Sequence, residues 1–202
     1  MSTKVKEYYI KVERYDWVAA ADRIVGIESF FHRQRERVFW RLIRKYSRGT
    51  VVLDVGCGTG LLLRHMNDAA IGLDINPWSV AKAKERTQKQ VVRADAEALP
   101  FQDSVLDIVV CTETLEHLPN PVGALKEMNR VLKKNGKIIG SVPHPHIGWK
   151  LRFLSSTHPH DEPFHNNYTR SQVQTMLHSA GFRVKRIFLS SLALNTNFIG
   201  EK

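Results

Sequence analysis

The segment Val51–Gly60 constrains the fold more than any other part of the chain. An apolar run that contains one acid, Asp54, leads into glycines at three alternate positions, and a second apolar run follows. This order predicts a buried strand, a tight turn and the beginning of a helix. Glycine has no Cβ atom and tolerates a positive φ, so such a turn lets the backbone approach a ligand closely. That ligand would lie beside the N–H groups of a helix N-terminus.

Predicted strands and helices alternate after this segment. The strands are Val51–Val55, Ala70–Asp74, Gln90–Arg93, Leu106–Cys111, Lys137–Val142 and Arg183–Leu189. The helices are Glu28–Tyr46, Gly60–Asn67, Pro77–Thr87, Pro121–Lys133 and Thr169–Ser179. We expect a Rossmann-like, doubly wound α/β fold, in which helices cover both faces of a mostly parallel sheet. Residues 190–202 are compatible with one more antiparallel strand.

Composition and charge limit the class of protein. The chain has 202 residues, a net charge of +10 and a hydrophobic fraction of 43%, which argues against disorder. No apolar run reaches the length that spans a bilayer, and no signal peptide is visible. Two separated cysteines, Cys57 and Cys111, do not suggest a disulfide framework, so we expect a reduced, cytoplasmic protein.

Acidic residues recur at the carboxyl ends of the predicted strands, where open α/β sheets bind ligands. Asp54 precedes the glycine turn, Asp74 ends the second strand and Asp95 follows the third. An acid in the position of Asp74 is placed to accept hydrogen bonds from ribose hydroxyls. The glycine spacing differs from GxGxxG, and no Walker lysine follows. Because carboxylates repel pyrophosphate, these residues favour a cationic nucleoside without phosphate.

Five segments together resemble the class I S-adenosylmethionine-dependent methyltransferases, and within them the methyltransferase type 11 group. They are Val51–Gly60, Gly72–Ile75, Arg93–Phe101, Asp107–Leu118 and Val131–Lys137. The fourth contains the signature Leu115-Glu116-His117-Leu118. The resemblance covers roughly residues 51–142 and continues more weakly to Phe182; the order and spacing of the segments make it specific.

The resemblance implies a methionine subsite at the glycine turn, with S-adenosylmethionine as cofactor and S-adenosylhomocysteine as product. Asp54 and the Gly56 backbone would hold the methionine ammonium group, partly through water. Cys57 and Gly58 would pack against the methionine moiety. The other positions that it assigns to this side of the pocket are Gly60, Cys111, Thr112 and His117.

The resemblance also implies an adenosine subsite at the next two strand ends. Asp74 would bind the ribose hydroxyls, and Ile75 would pack against the adenine. The Asp95 side chain and the Ala96 N–H group would read the adenine edge.

A histidine-rich segment, Val142–Tyr168, interrupts the alternation with four prolines and five histidines. A loop this long in a compact domain is usually functional or mobile. We select His144, His146 and His165 as candidates for a general base, because the fifth strand leads this loop to the pocket rim. The alternative is a polar surface loop. A metal site is not predicted, since no cysteine joins the histidines.

We expect a single methyltransferase domain over residues 1–202. Its parts are an N-terminal helical lid (1–48), a cofactor-binding core (49–142), a substrate-side loop (143–168) and a C-terminal helix with one or more strands (169–202). The lid hypothesis follows from the resemblance and from the aromatic residues Tyr8, Tyr9, Tyr15 and Trp17; the alternative is that they pack on the sheet edge.

The predicted reaction is methyl transfer to a small molecule, a lipid headgroup or a glycan. An RNA methyltransferase is suggested by the positive charge but is not favoured, because no RNA-binding appendage stands out. A non-catalytic protein that binds S-adenosylmethionine also stays open, since the acidic residues bear on binding alone. The basic helix face within Arg33–Arg48 is expected to be solvated, with an anionic substrate or membrane contact as the alternative. The sequence does not indicate the oligomeric state.

Overall fold

The computed structural model describes residues 2–11, 16–22, 27–47, 49–145, 166–190 and 194–202. The helices are α1 (Ser2–Lys11), α2 (Trp17–Asp22), α3 (Ile27–Tyr46), α4 (Pro77–Thr87), α5 (Pro121–Val131) and α6 (Arg170–Ser179). The strands are β1 (Val52–Val55), β2 (Ile71–Asp74), β3 (Gln90–Arg93), β4 (Leu106–Thr112), β5 (Leu132–Pro143), β6 (Arg183–Ser190) and β7 (Asn195–Glu201). The predictions at Tyr15, His146 and His165 lie outside the described residues.

The strands form one sheet with the order β3-β2-β1-β4-β5-β7-β6. The first five strands run parallel, whereas β7 pairs antiparallel with β5 on one side and with β6 on the other. The predicted α/β fold is therefore confirmed, and the open segment 190–202 contains the antiparallel strand β7. The strand order reverses between β1 and β4, which is where sheets of this kind bind ligands.

Side chains fix where the helices begin. The Asn76 side chain accepts a hydrogen bond from the Ser79 N–H group, so α4 begins directly after β2. Asn120 caps α5 in the same way, and a proline occupies the first turn of both helices. Thr169 begins α6 with a capping box. The caps of α4 and α5 place these two helix N-termini at the edge of the sheet where β2 and β4 end.

The central strands alternate their side chains between two apolar layers. Leu53 and Val55 of β1 belong to the layer that includes α5 and α6, whereas Val52 belongs to the layer of α3 and α4. On α3, Phe39 and Ile43 supply large buried side chains at a spacing of four residues. Burying each such side chain contributes about 1.5–3 kcal/mol. Among the described residues, no helix combines the length and the apolar character needed to cross a membrane.

The predicted helix at Gly60–Asn67 is wrong. This segment forms turns and a short 3-10 helix, Leu63–His65, in which the His65 and Met66 N–H groups donate to oxygens three residues earlier. Gly60 has a φ of +94°, which no residue of a right-handed helix adopts, so the helix cannot begin there. The helix predicted at Pro121–Lys133 also ends early, because Leu132 already begins β5.

Candidate functional site

The glycine turn is fixed between β2 and the loop after β4. The Gly56 and Cys57 N–H groups both donate to the Leu73 carbonyl oxygen, at 2.8 and 3.0 Å. Gly56 has a φ of +73°, and a Cβ atom there would lie 2.1 Å from Thr114 Oγ1. A side chain at this position would displace Thr114, so the turn packs directly against the loop after β4.

Asp74 closes the turn from the side of β2. Its Oδ2 atom accepts a hydrogen bond from the Gly58 N–H group and its Oδ1 atom accepts one from the Asn76 N–H group, both at 2.9 Å. Burial raises the pKa of this carboxyl group, while the backbone hydrogen bonds oppose the rise. Asp74 therefore shapes the turn and places a carboxylate in the wall of the main cavity.

Asp54 is a buried acid beneath the turn, with 2% of its surface exposed. Burial and the nearby charge of Asp74 raise its pKa to about 7, and the Arg35 guanidinium group acts in the opposite direction. Asp54, Arg35 and the glycine turn line a small cavity of about 40 Å³. An ionised carboxylate in this position is poorly solvated and would be stabilised by a cationic ligand group.

The main cavity, of about 170 Å³, lies between the strand ends and α1. Lys6 of α1 places its Nζ atom 2.6 Å from Asp95 Oδ2 and 2.7 Å from Glu97 Oε2. The Tyr9 hydroxyl group shares a hydrogen bond of 2.7 Å with His117 Nδ1. These contacts attach α1 to the loops that follow β3 and β4.

The two cavities gather most of the residues that the sequence assigned to the cofactor. These are Asp54, Gly56, Cys57, Gly58, Asp74, Ile75, Asp95, Ala96, Thr112 and His117. Gly60 and Cys111 are not among the lining residues. Gly60 packs on α4, where a Cβ atom would lie 2.9 Å from Thr87 Cγ2. Cys111 is fully buried in the core, and burial raises the pKa of its thiol well above the ordinary value.

His144 is the candidate base that falls within the described residues. Its Nδ1 atom lies 2.8 Å from Thr196 Oγ1, and its N–H group donates to the Leu194 carbonyl oxygen. The ring therefore contacts β7, and His144 is not among the residues that line the two cavities. Its catalytic role stays a prediction, as do those of His146 and His165. Within the described part of the chain, no group of three or more His, Cys, Asp or Glu side chains is arranged to hold a metal ion.

Glu113 is a site residue that the sequence places after the fourth strand but to which it assigned no role. It lines both cavities and has a φ of +49°. Its Oε1 atom accepts hydrogen bonds from Ser141 Oγ at 2.6 Å and Asn195 Nδ2 at 2.7 Å. Its Oε2 atom lies 3.8 Å from Arg35 Nη1. These partners come from β5, β7 and α3, so only the folded chain brings them together.

Comparisons with known proteins agree with this architecture. Residues 53–140 match the family model described as a methyltransferase domain. An uncharacterized protein of Methanocaldococcus jannaschii is 34% identical over 73% of this chain and 55% of its own length. Demethylmenaquinone methyltransferase of Staphylococcus aureus is 34% identical over 58% of this chain and 53% of its own length. The chain thus spans little more than half the length of these curated relatives.

A solved structure extends the similarity to the whole fold. Magnesium protoporphyrin IX methyltransferase from Synechocystis, crystallised with bound S-adenosylhomocysteine, superposes with a TM-score of 0.76. The match covers 100% of both chains at 18% sequence identity. At this identity the similarity shows a common fold and leaves the acceptor undefined.

Proposed function

We propose that this chain, whose residues 53–140 match a methyltransferase domain, transfers a methyl group from S-adenosylmethionine to a small molecule, a lipid headgroup or a glycan. The observation that carries the proposal is the row of three acids, Asp54, Asp74 and Asp95, along the two cavities. We assign them, in that order, to the ammonium, ribose and adenine groups of the cofactor.

The residues of the small cavity fit the methionine end of S-adenosylmethionine. Asp54 is buried at a cost that its raised pKa reflects, and an ammonium group would offset this cost. Arg35 lies on the same cavity and supplies a cation for the methionine carboxylate. The carboxylates of Asp54 and Glu113, together with one guanidinium group, suit a zwitterion with an ammonium group better than a phosphate, which both acids would repel.

The residues of the main cavity fit the adenosine end. Asp74 would bind the ribose hydroxyls, while Ile75 and Leu118 would supply apolar contacts to the adenine. Asp95 and the Ala96 N–H group would read the adenine edge. Since Lys6 already pairs with Asp95, we propose that α1 shifts when the cofactor binds, consistent with a lid formed by residues 1–48.

The chemistry needs little from the protein beyond binding and orientation. When bound, S-adenosylmethionine supplies a reactive sulfonium methyl group. The glycine turn and its carboxylates hold this group in line with the acceptor, and the wall formed by α1 limits access of water. Such positioning accounts for a large part of the rate enhancement in reactions of this kind.

A transfer assay tests the proposal. Purified protein is incubated with S-adenosylmethionine carrying a labelled methyl group and with cell extract fractionated into RNA, protein, lipid, glycan and small-molecule pools. We expect label in the small-molecule, lipid or glycan pool, and we expect Asp54→Asn to lower its amount. Label confined to RNA, together with salt-dependent RNA binding, would replace the proposal by RNA methylation. Tight cofactor binding without transfer to any pool would indicate a non-catalytic protein.

A further inference from the structure

The outward side of α3 carries a basic face that the cofactor site does not use. Its members are exposed and recur at spacings of three and four residues, the spacing of neighbours on a helix surface. They are Arg37, Trp40, Arg41, Arg44 and Lys45. The opposite side of α3 packs into the core through Phe39 and Ile43. The basic face is therefore turned away from the sheet and toward solvent.

The positive charges of the basic face are not neutralised by the part of the chain that the structure describes. None of its four basic side chains forms an ion pair there, whereas Arg35 on another side of the helix lies near Glu113. The acid within this stretch, Glu36, is turned inward, where it contacts Arg64 and His65. Like charges that lie close together without counter-charges create a surface potential that attracts an anionic partner.

Trp40 adds an apolar ring to these charges. Among the described residues it is the large apolar side chain that is left exposed, at 37%. The Arg44 guanidinium carbon lies 5.2 Å from the centroid of its ring. An indole beside basic residues suits the surface of a bilayer, because the ring enters the boundary between headgroups and acyl chains while the charges stay in water.

The shape and the surroundings of the basic face favour a membrane over RNA. Proteins that bind single-stranded RNA without sequence preference use a basic groove with several stacking rings. The basic face is the side of one helix, and within the described residues it carries one exposed ring. The cavities at the strand ends are lined by Asp54, Asp74 and Asp95, which would repel a phosphate backbone. A second copy of the chain, with its net charge of +10, would also be repelled.

We propose that the basic face of α3 docks on the surface of an anionic lipid bilayer. This inference goes beyond methyl transfer and does not depend on it. Each basic residue near such a surface strengthens binding roughly fivefold. The four basic residues together give a reversible association, which weakens as salt screens the charges.

Vesicle binding of the full chain tests the proposal. Purified protein is sedimented with vesicles of phosphatidylcholine alone, or of phosphatidylcholine and phosphatidylserine at a ratio of roughly 3:1. We expect binding to the mixed vesicles only, and its loss when salt is raised from roughly 0.1 M to 1 M. Combining Arg37→Gln, Arg41→Gln and Arg44→Gln should weaken binding roughly 100-fold. Circular dichroism and affinity for S-adenosylhomocysteine should be unchanged, because these side chains are exposed and line neither cavity.

A second triple variant separates the local charge of the basic face from the net charge of the protein. Lys84→Gln, Lys126→Gln and Lys134→Gln remove the same number of charges from exposed positions outside α3. They should weaken vesicle binding less than about fivefold in total. Equal losses in the two triple variants, or wild-type protein that does not prefer the mixed vesicles, overturn the proposal. If the arginine variant loses binding to a single-stranded RNA oligonucleotide but not to vesicles, the basic face is an RNA site instead.

Tryptophan fluorescence locates the contact. Docking should move the Trp40 ring from water into the headgroup boundary, so the emission of the wild-type protein should shift to shorter wavelength with the mixed vesicles. Trp40→Phe should keep most of the affinity and lose this shift. A shift that persists in Trp40→Phe shows that another surface enters the bilayer, and it overturns the assignment to α3. The vesicle assay contains no methyl donor, so its failure leaves the proposed methyl transfer standing.

Discussion

Replacing Asp54 by asparagine should stabilise the cofactor-free protein at alkaline pH and weaken its affinity for the cofactor. Burial and the charge of Asp74 raise the pKa of Asp54 from 3.8 to about 7. This difference corresponds to about 4 kcal/mol of folding free energy, which the wild-type protein loses once Asp54 is ionised at pH 8. Asparagine has a similar shape and no charge, so the variant does not incur this loss.

The pH dependence gives the sharper test. Because the pKa in the folded state is raised, the destabilisation is complete above pH 7 and declines as the pH falls toward the value of the unfolded chain. The stability advantage of Asp54→Asn should therefore be about 1.4 kcal/mol smaller at pH 6 than at pH 8. Urea unfolding of both cofactor-free proteins at pH 6, 7 and 8 measures this difference.

Asp54→Asn should weaken ligand binding, although it stabilises the cofactor-free protein. The variant lacks the Asp54 charge that would pair with the ammonium group of the ligand. S-adenosylhomocysteine binding, measured by calorimetry, should therefore be roughly 10- to 100-fold weaker. Asp68→Asn, at a fully exposed acid, is the control and should show a stability difference that does not vary with pH. If the difference in unfolding free energy between Asp54→Asn and the wild-type protein is constant from pH 6 to pH 8, the argument that burial raises the pKa of Asp54 is refuted.

Three further predictions concern the same site. Since the ammonium group requires ionised Asp54, whose pKa is about 7, wild-type affinity for S-adenosylhomocysteine should rise about tenfold from pH 6 to pH 8 in calorimetric titrations. Lys6→Ala removes the ion pair with Asp95, so stopped-flow association of S-adenosylhomocysteine should be about 2- to 5-fold faster. Gly56→Ala should cost about 2–4 kcal/mol in urea unfolding, because its Cβ atom meets Thr114 at a positive φ, and Thr114→Ala should restore only part of this loss.

The chain offers a matched control for each of these. Asp54→Asn should flatten the pH profile of binding. Lys4→Ala, at an exposed position on α1, should leave association unchanged. Gly49→Ala has a φ of +68° but nothing within 4 Å of its Cβ atom, so it separates backbone strain from the steric clash. Slower association in Lys6→Ala would instead indicate that Lys6 contacts the cofactor directly.

Local patterns predicted the parallel half of the fold well. The strand at Gln90–Arg93 and the helix at Pro77–Thr87 have the predicted bounds, because apolar periodicity, a proline and a cap act within a few residues. The prediction of a helix at Gly60–Asn67 was wrong for a local reason as well. The sequence shows a glycine at position 60 but does not show the sign of its φ. Strand β7 could not be assigned from its pattern, since its buried polar residues depend on partners elsewhere.

The candidate site, like the fold, was predictable from the sequence only in part. The acids Asp54, Asp74 and Asp95 were predictable because each follows a strand that the sequence marks clearly. The pairing of Lys6 with Asp95 was not, since 89 residues separate them. The role of Glu113 was missed for a similar reason. Its carboxylate is held by Asn195, which is distant in sequence and belongs to the strand whose pattern was ambiguous.

The place of β7 in the sheet imposes an order on folding during synthesis. The ribosome makes β6 before β7, yet among the described residues β6 pairs with β7 alone, and β7 fills the gap beside β5. Until β7 has been made, the edge of β5 stays open, and an open strand edge recruits other chains. The β6–β7 hairpin can therefore join the sheet only after β7 has been made. Yield in the cell should depend on how quickly this hairpin docks as well as on the stability of the finished sheet.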